Sequence, residues 1–345
     1  MKYQVALMPG DGIGPEITEA TLQVLSAIQQ IYPIHLIIER VVGGDLCAQQ
    51  YGDPLPPETI SSIQQSQTCL KGPVGETAAD VIVKLRILFD LYAGIRPIKS
   101  YPNTPALHND VDILFVRENT EGLYKGLEFA LDSDTMVCMR IITRRASRRI
   151  AEYAFQAANN RGKAKKVTVI HKSNVMRKTD GLFAQTCRDV GAQYPHIHLE
   201  EMYVDAAAMQ LIKSPHTFDV IVTTNMFGDI LSDEASVLIG GLGMAPGANI
   251  GDTFALFEPI HGTAPLIAGK GVANPISMIL ASSLMLNWLG HTYSDSDCLR
   301  ASQQIDTAVN ATLQQGVLTQ DLGGNIRTQD FGAAVATQIL KRGNI

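Results

Sequence analysis

Residues 4–16 read QVALMPGDGIGPE, an apolar run cut off at Pro9-Gly10 and followed by a glycine-rich turn. Behind the turn, Glu16–Gln30 is a helix-compatible stretch. Strand, glycine turn and helix in that order open a Rossmann dinucleotide unit when the glycines follow G-x-G-x-x-G and an acidic residue stands about 20 positions on. Here the glycines are Gly10, Gly12 and Gly14, Pro15 takes the place of the required last glycine, and Glu39 comes late for a ribose carboxylate. No GK[ST] follows, so a P-loop is excluded, and with it a nucleotide-dependent transferase built on this turn. What remains is a tight turn with Pro15 near a helix start and Glu16 in the first turn, where a carboxylate complements the helix dipole.

The rest of the chain bounds the answer. Its 345 residues correspond to about two domains at roughly 150 residues each. With 46% hydrophobic and 18% charged residues it is too apolar for intrinsic disorder. A net charge of −6 makes a poor general nucleic-acid binder, because duplex affinity rests on neutralising phosphates. The cysteines, Cys47, Cys69, Cys138, Cys187 and Cys298, are odd in number and never in CxxC spacing, which suits a reducing cytosol better than a disulfide or zinc framework. The first residues lack the apolar core and cleavage site of a signal peptide. The most apolar run, Ile276 to Leu289, is too short to span a bilayer and reads as a buried helix. A cytoplasmic protein with no membrane or nucleic-acid partner is expected.

Strand-like runs at 4–10, 33–42, 112–119, 165–174 and 218–225 alternate with helix-compatible segments Glu16–Gln30, Thr143–Asn159 and Gly181–Val190, an α/β pattern. Several strands end in polar residues, and in open α/β sheets ligands gather beyond strand ends. Candidate boundaries lie at Arg96-Pro97 through Pro105 and at Gly240–Gly243, so one lobe can be an insertion in the other. After the run 218–225, Asp229 and Asp233 stand i, i+4 and share a helix face. Their repulsion is relieved by a divalent cation with oxygen ligands, or the two merely complement a helix dipole. Arg86, Arg96 and Arg117 near loop ends together suit an acidic small substrate, since Arg binds carboxylates bidentately, although each taken alone is more often a surface or ion-pair residue. Lys172 at a strand end is a candidate base and Tyr124 a candidate acid; Asp205 is ambiguous. The stretch 257–275, with His261, Gly262, Ala264, Pro265 and Asn274, is either a nucleotide-contacting loop or a plain Pro/Gly loop.

Taken in order, GDGIGPE, LRILFDLYAGIRP, VRENTEGLYKG, HKSNVMRKTDGLF, NMFGDILSDEAS, LFEPIHGTAPLIAGKGVANP and DLGGN resemble the β-decarboxylating dehydrogenases that act on isocitrate, 3-isopropylmalate, homoisocitrate and D-malate. The resemblance covers nearly the whole chain and implies a two-lobed α/β/α fold that binds NAD(P) without a Rossmann domain. It places residues 1–98 with 240–345 in a cofactor-binding lobe and 99–239 in an inserted lobe with metal ligands and dimer contacts. By motif position Arg86, Arg96 and Arg117 match the clamp on a malate core, and Asp229 and Asp233 match metal ligands for Mg²⁺ or Mn²⁺, joined by Asp205 from the other subunit of a homodimer. Lys172, also reaching across, matches the base, and Tyr124 the proton donor. A shared site of this kind suggests that Lys172→Ala and Asp205→Ala chains complement each other in mixed dimers. The implied chemistry is hydride transfer to nicotinamide, loss of CO₂ and protonation of the enolate.

Substrate choice in this family is read just before the first Arg. Isocitrate enzymes carry Ser and Asn six and four residues before it, where this chain has Asp80 and Ile82. Homoisocitrate enzymes can carry Arg three residues before, where Val83 stands. Ile82 and Val83 offer an apolar wall on one helix face, where an unpaired carboxylate would cost several kcal/mol. GETAADVIVKLR is similar to archaeal-type 3-isopropylmalate dehydrogenases, which makes 3-isopropylmalate the expected substrate, with D-malate, isocitrate and homoisocitrate as alternatives. The resemblance assigns the cofactor to His261, Gly262, Thr263, Ala264, Leu266, Ile267, Asn274 and Asp321. NADP-using relatives carry Lys-Tyr after the Ala-Pro and Tyr and Arg near DLGG; this chain has Leu266-Ile267, Gln320 and Gly324, so NAD is expected. Relatives that use NAD usually carry Asp where Leu266 stands, a departure implying weak NAD binding. It is also the one feature that speaks for a catalytically silent regulatory subunit, since Tyr124, Lys172 and the three aspartates are all kept.

Overall fold

A computed structural model describes residues 1–343. In chain order its strands are β1 (Lys2–Met8), β2 (His35–Arg40), β3 (Thr68–Lys71), β4 (Ala93–Lys99), β5 (Asp112–Glu118), β6 (Glu128–Ala130), β7 (Met136–Cys138), β8 (Lys166–His171), β9 (His198–Tyr203), β10 (Val220–Thr223), β11 (Pro246–Ile250) and β12 (Ala255–Pro259). All but β6 and β7 join one ten-stranded sheet in the order β2-β1-β3-β12-β11-β4-β5-β10-β8-β9, with helices between most of its strands. The fold is the expected α/β class without a Rossmann unit. Four of the five strand-like runs enclose a strand and the run 4–10 overlaps β1, while β3, β4, β6, β7, β9, β11 and β12 were not anticipated.

For the two at the centre of the sheet, β11 and β4, the reason is physical. β11, PGANI, is rich in Pro, Gly and Asn, which are poor strand formers. Its five residues are all buried, so tertiary pairing on both sides outweighs propensity. β4, AGIRPIK, contains Gly94 and Pro97 and was read as a boundary; it pairs along its whole length with β5, from Ala93↔Glu118 to Lys99↔Asp112.

β2, β1, β3 and β12 are mutually parallel, as are β5, β10, β8 and β9. Between these groups β12–β11, β11–β4 and β4–β5 pair antiparallel, so the sheet reverses direction at its centre. Side chains alternate between faces with a period of two, so the register fixes which of them meet. Gly94 lies opposite both Asn249 and Arg117, and Leu256 opposite Asn249. Arg96, Arg117, Asn249 and Glu258 therefore point from one face of the central strands.

The helix Ile276–Thr292 fills the core expected of it and is buried over most of its length. Its serines fit because their hydroxyls find carbonyl acceptors, Ser282 on Ile279 O at 2.6 Å and Ser283 on Ser302 O at 3.0 Å. Among the described residues no helix is long and apolar enough to cross a membrane. β6 and β7 form a separate two-stranded arm, and Leu127, Phe129, Leu131 and Met136 on it are exposed.

Candidate active site

β10 ends at Thr223, and the helix Asn225–Val237 starts two residues later. It packs so close to β5 that a Cβ on Gly228 would lie 2.7 Å from Cγ of Arg117. Asp229 and Asp233 share the face of this helix turned to the central strands. Arg96 spans both, its Nη2 donating to Asp229 Oδ1 at 2.9 Å and its Nη1 to Asp233 Oδ1 at 2.8 Å and to Ser232 Oγ at 2.7 Å. Arg117, 1% exposed, donates through Nη1 to Asp229 and through Nε and Nη2 to Asn225 Oδ1 at 3.0 and 2.6 Å. Tyr124 donates its hydroxyl to Asp229 Oδ2 at 2.7 Å, and its ring lies 5.2 Å from the Arg117 guanidinium.

The charges are set by burial and by one another. Burial pushes the Asp229 carboxyl up, but Arg117 and Arg96 outweigh it and hold it at about 2. Asp233 is raised, by burial first, with Asp229 adding to it. Burial, then the neighbouring Arg96 and Arg86, bring Arg117 down to about 9, still cationic at neutral pH. The Tyr124 phenol is raised by burial, so it is protonated at neutral pH.

Arg86 comes from the last turn of the short helix Lys84–Leu88 and Arg96 from mid-strand in β4, not from loop ends as their sequence neighbourhood suggested. Ile82 and Val83 lie not on an ordinary helix face but in a π-helical turn, Ala79–Val83, just before Arg86. Both stand with Arg86, Arg96, Arg117, Tyr124, Asp229 and Asp233 around a cavity of about 350 Å³. Its lining is mixed: Val74, Ala78, Ile82 and Val83 are apolar, and Arg86, Arg96, Arg117, Asp229 and Asp233 supply guanidiniums and carboxylates.

Three further lining or supporting residues were not anticipated: Lys71, Glu258 and Asn249. Lys71 Nζ lies 2.8 Å from Glu258 Oε2, while Glu258 Oε1 accepts from Asn249 Nδ2 at 2.8 Å and Arg86 Nη2 at 3.3 Å. Arg86 Nε also donates to Asn249 Oδ1, at 2.8 Å. A signal was present. Lys71 ends TCLK and Glu258 sits in ALFEP, each the single charge in an otherwise uncharged, buried strand, and a buried charge needs a partner.

Lys172 and Asp205 are not brought to this cavity. They pair with each other, Nζ to Oδ1 at 2.7 Å, and the bond from Lys172 holds the exposed Asp205 carboxyl below its usual range. No group of three His, Cys, Asp or Glu side chains among the described residues could hold a metal ion. Because Lys172 and Asp205 sit together on one chain, they would reach a partner together. Complementation between Lys172→Ala and Asp205→Ala chains therefore does not follow, since each site of the mixed dimer would lack one of them.

A second cavity, of about 580 Å³, adjoins the first; His261 and Gly262 line both. Ala264, Ile267, Asn274 and Asp321 line the larger one as well, with Ile13, Leu242, Val272 and Gln320 beside them. Thr263 and Leu266 do not line it: the Thr263 carbonyl accepts from the Ile13 amide at 2.9 Å, and Leu266 is 85% exposed. Asn274 Nδ2 donates to Asp321 Oδ2 at 2.9 Å. Burial lowers the His261 imidazole, and its Nε2 is buried with no hydrogen-bond partner, an atom left free for a ligand.

Residues 4–335 match the family described as isocitrate/isopropylmalate dehydrogenase. The chain is 48% identical over 336 residues to a 3-isopropylmalate dehydrogenase of Methanothermobacter thermautotrophicus, covering 97% of this chain and 98% of that one. It is 42% identical to a homoisocitrate dehydrogenase of Methanocaldococcus jannaschii, covering 98% of each. The crystal structure of isocitrate dehydrogenase from Methylococcus capsulatus superposes with a TM-score of 0.91 at 39% identity, over 98% of this chain and 99% of that one.

Proposed function

The chain belongs to the isocitrate/isopropylmalate dehydrogenase family and is a decarboxylating dehydrogenase, and from that premise we propose that it converts 3-isopropylmalate to 4-methyl-2-oxopentanoate, a step of leucine biosynthesis, with NAD and Mg²⁺ or Mn²⁺. The observation that carries the choice is the mixed lining of the cavity. Val74, Ala78, Ile82 and Val83 offer an isopropyl group an apolar wall, and Arg86, Arg96 and Arg117 in the same lining can bind two carboxylates. The Lys71 cation, also in the lining, is already neutralised by Glu258 at 2.8 Å and so does not call for a third carboxylate on the substrate.

The donor set fits a hard divalent cation. Asp229 and Asp233 present two carboxylates from one helix face, and Asp229 stays ionised far below neutral pH. The arginines that now hold these carboxylates are the same ones that would clamp the substrate. Asp229 and Asp233 would hold the dication and the arginines the substrate dianion, and the two together would leave the charge of the pocket unchanged. The larger cavity fits a dinucleotide: it adjoins the substrate cavity at His261 and Gly262, and it holds the unpartnered His261 Nε2. NAD supplies a hydride acceptor and the cation a Lewis acid at the developing carbonyl oxygen.

Everything else falls to the chain. The three guanidiniums orient the malate core. Tyr124, protonated and hydrogen-bonded to Asp229, is read as the acid that gives its hydroxyl proton to the carbon that loses CO₂. Lys172, paired with Asp205 outside the cavity, is read as the base that takes the substrate hydroxyl proton in the site of a second subunit, with Asp205 the third metal ligand there. The apolar arm β6–β7 supports a homodimer with shared sites. The sheet supports the division into lobes as well, because residues from both chain ends build one side of it and residues 112–223 the other. Five unpaired cysteines agree with a cytoplasmic setting.

NADH formation over 3-isopropylmalate, isocitrate, homoisocitrate and D-malate, with and without Mn²⁺, tests the proposal. The highest kcat/KM is expected with 3-isopropylmalate, and only with metal. A preference for either tricarboxylate refutes the substrate assignment, and inactivity on all four supports the regulatory-subunit alternative.

A further inference from the structure

The two acidic residues of the glycine turn, Asp11 and Glu16, have no part in the chemistry above, yet both are built into the fold as acceptors for backbone N–H groups. Asp11 is buried, and its Oδ2 accepts from the amides of Asp45 at 2.8 Å and Gly75 at 3.2 Å, its Oδ1 from that of Leu46 at 3.0 Å. The helix Asp45–Tyr51 has no side-chain cap at its own N-cap residue, so Asp11 satisfies its first amides from a distant turn. Asp45 extends the chain of contacts, accepting from the Glu76 amide at 3.0 Å, the Thr77 amide at 2.9 Å and Thr77 Oγ1 at 2.7 Å. The Thr77 carbonyl then takes the Val81 amide at 3.1 Å, at the start of the π-helical turn that carries Ile82 and Val83.

The other side of the turn holds the cofactor loops. Gly12, at φ +57°, is pressed so closely on Thr263 that a Cβ would lie 2.1 Å from its carbonyl oxygen. Glu16 accepts from the amides of Gly271 at 3.1 Å and Ala273 at 3.3 Å, and Ala273 lines the larger cavity.

We propose that the turn Gly10–Glu16 is a bracket with two arms, in which Asp11 is a positioning residue for the substituent-reading segment Gly75–Val83 and Glu16 a positioning residue for the cofactor loop Gly271–Ala273. What the two cavities hold rests on the function proposed above; the bracket itself does not. A carboxylate only accepts, whereas a carboxamide of the same shape turns one oxygen into a donor aimed at N–H groups. Asp11→Asn and Glu16→Gln therefore cut one arm each without opening a cavity.

The test uses full-length chains, amide hydrogen exchange, NAD titration by calorimetry, and kinetics on malates with an isopropyl, a methyl or no 3-substituent. Asp11→Asn is expected to speed exchange at residues 75–77 by about tenfold or more, as loss of hydrogen bonds to a charged group implies, while leaving 271–273 unchanged. It should raise KM for 3-isopropylmalate with little change in kcat and flatten the preference among the three malates. Glu16→Gln should do the reverse, speeding exchange at 271–273 and weakening NAD while the preference is kept. Asp45→Asn cuts the first arm one step later and should repeat the Asp11 signature even if Asp11→Asn fails to fold. The bracket is overturned if exchange at 75–77 is unchanged in both variants of that arm, if both loops loosen together in any single variant, or if activity falls equally on all three malates. A wild-type chain that turns over none of the malates refutes the substrate reading alone, because the exchange pattern still decides the bracket.

Discussion

Removing the Glu258 carboxylate should destabilise the protein far more than removing both Glu258 and its partner Lys71. Lys71 is 2% exposed, and beyond Glu258 its Nζ has the Gly72 carbonyl, at 2.8 Å. Burial pushes the Glu258 carboxyl up, but Lys71 and Arg86 outweigh it and bring it from 4.5 to about 2. At 1.36 kcal/mol per pKa unit, that depression favours the ionised folded form by about 3 kcal/mol. In Glu258→Gln the Lys71 ammonium stays buried without a counter-charge, a loss of about 3–5 kcal/mol when one member of a buried pair is removed. Lys71→Met in the Glu258→Gln background removes the stranded ammonium, while Arg86 keeps its bond to Asn249 Oδ1, and should recover most of that loss, since replacing both members of a buried pair is often close to neutral.

The pH dependence has a definite sign. A carboxyl whose folded value lies below its unfolded one contributes its full stabilisation above about 4.5 and loses it as pH falls towards about 2. Urea unfolding at fixed protein concentration, with midpoints compared at constant slope from pH 7 to pH 3, reads both effects. Wild type should exceed Glu258→Gln by several kcal/mol at pH 7, and the gap should narrow below pH 4.5. A gap under about 1 kcal/mol at pH 7, a gap independent of pH, or a double variant less stable than Glu258→Gln would refute the reasoning.

Three further outcomes are expected. Leu266→Asp, at a position 85% exposed, should leave stability unchanged and tighten NAD about ten- to a hundredfold, the worth of one hydrogen bond to a charged group; an unchanged Kd, or turnover with NADP that matches NAD, counts against it. Val83→Arg puts a cation on the apolar wall and should lower kcat/KM for 3-isopropylmalate by about tenfold or more while raising that for homoisocitrate; the same fractional change on both substrates would mean that Val83 does not read the substituent. Lys172→Ala mixed with Asp229→Asn should regain about a quarter of wild-type activity in randomly assorted C2 dimers, because one site of each mixed dimer is whole; Lys172→Ala mixed with Asp205→Ala should regain none, and activity in that second mixture would place the two residues in different sites.

Where the pattern was regular the fold was legible. β2, β5, β8 and β10 lie inside the strand-like runs and β1 overlaps one, and the helix Asn225–Val237 was marked by two carboxylates four residues apart. The centre of the sheet was not legible. β4 and β11 contain Gly94, Pro97, Pro246 and Gly247, which locally spell a boundary or a turn, and only burial between two neighbouring strands makes them strands. The parallel β3–β12 pairing and the antiparallel β12–β11 pairing beside it bring Lys71, Glu258 and Asn249 together, against Arg86. A cross-strand register of this kind leaves no trace in sequence spacing, so a buried charge in each of two strands was the only clue.

The glycine turn shows how a correct exclusion can stop too early. Its failure to match G-x-G-x-x-G rightly removed a Rossmann site, and helix-dipole chemistry accounted for Glu16 as a local feature. The Glu16 carboxylate instead reaches the amides of Gly271 and Ala273, and Asp11 those of Asp45, Leu46 and Gly75. Three glycines in five residues are what such a turn requires, since Gly10 and Gly12 adopt positive φ and a Cβ at Gly10, Gly12 or Gly14 would lie about 2 Å from a backbone oxygen. Phosphate loops need glycine so that backbone can approach a ligand. Here backbone approaches backbone, from both cavities at once, and the same composition serves to fix two binding segments to one rigid corner.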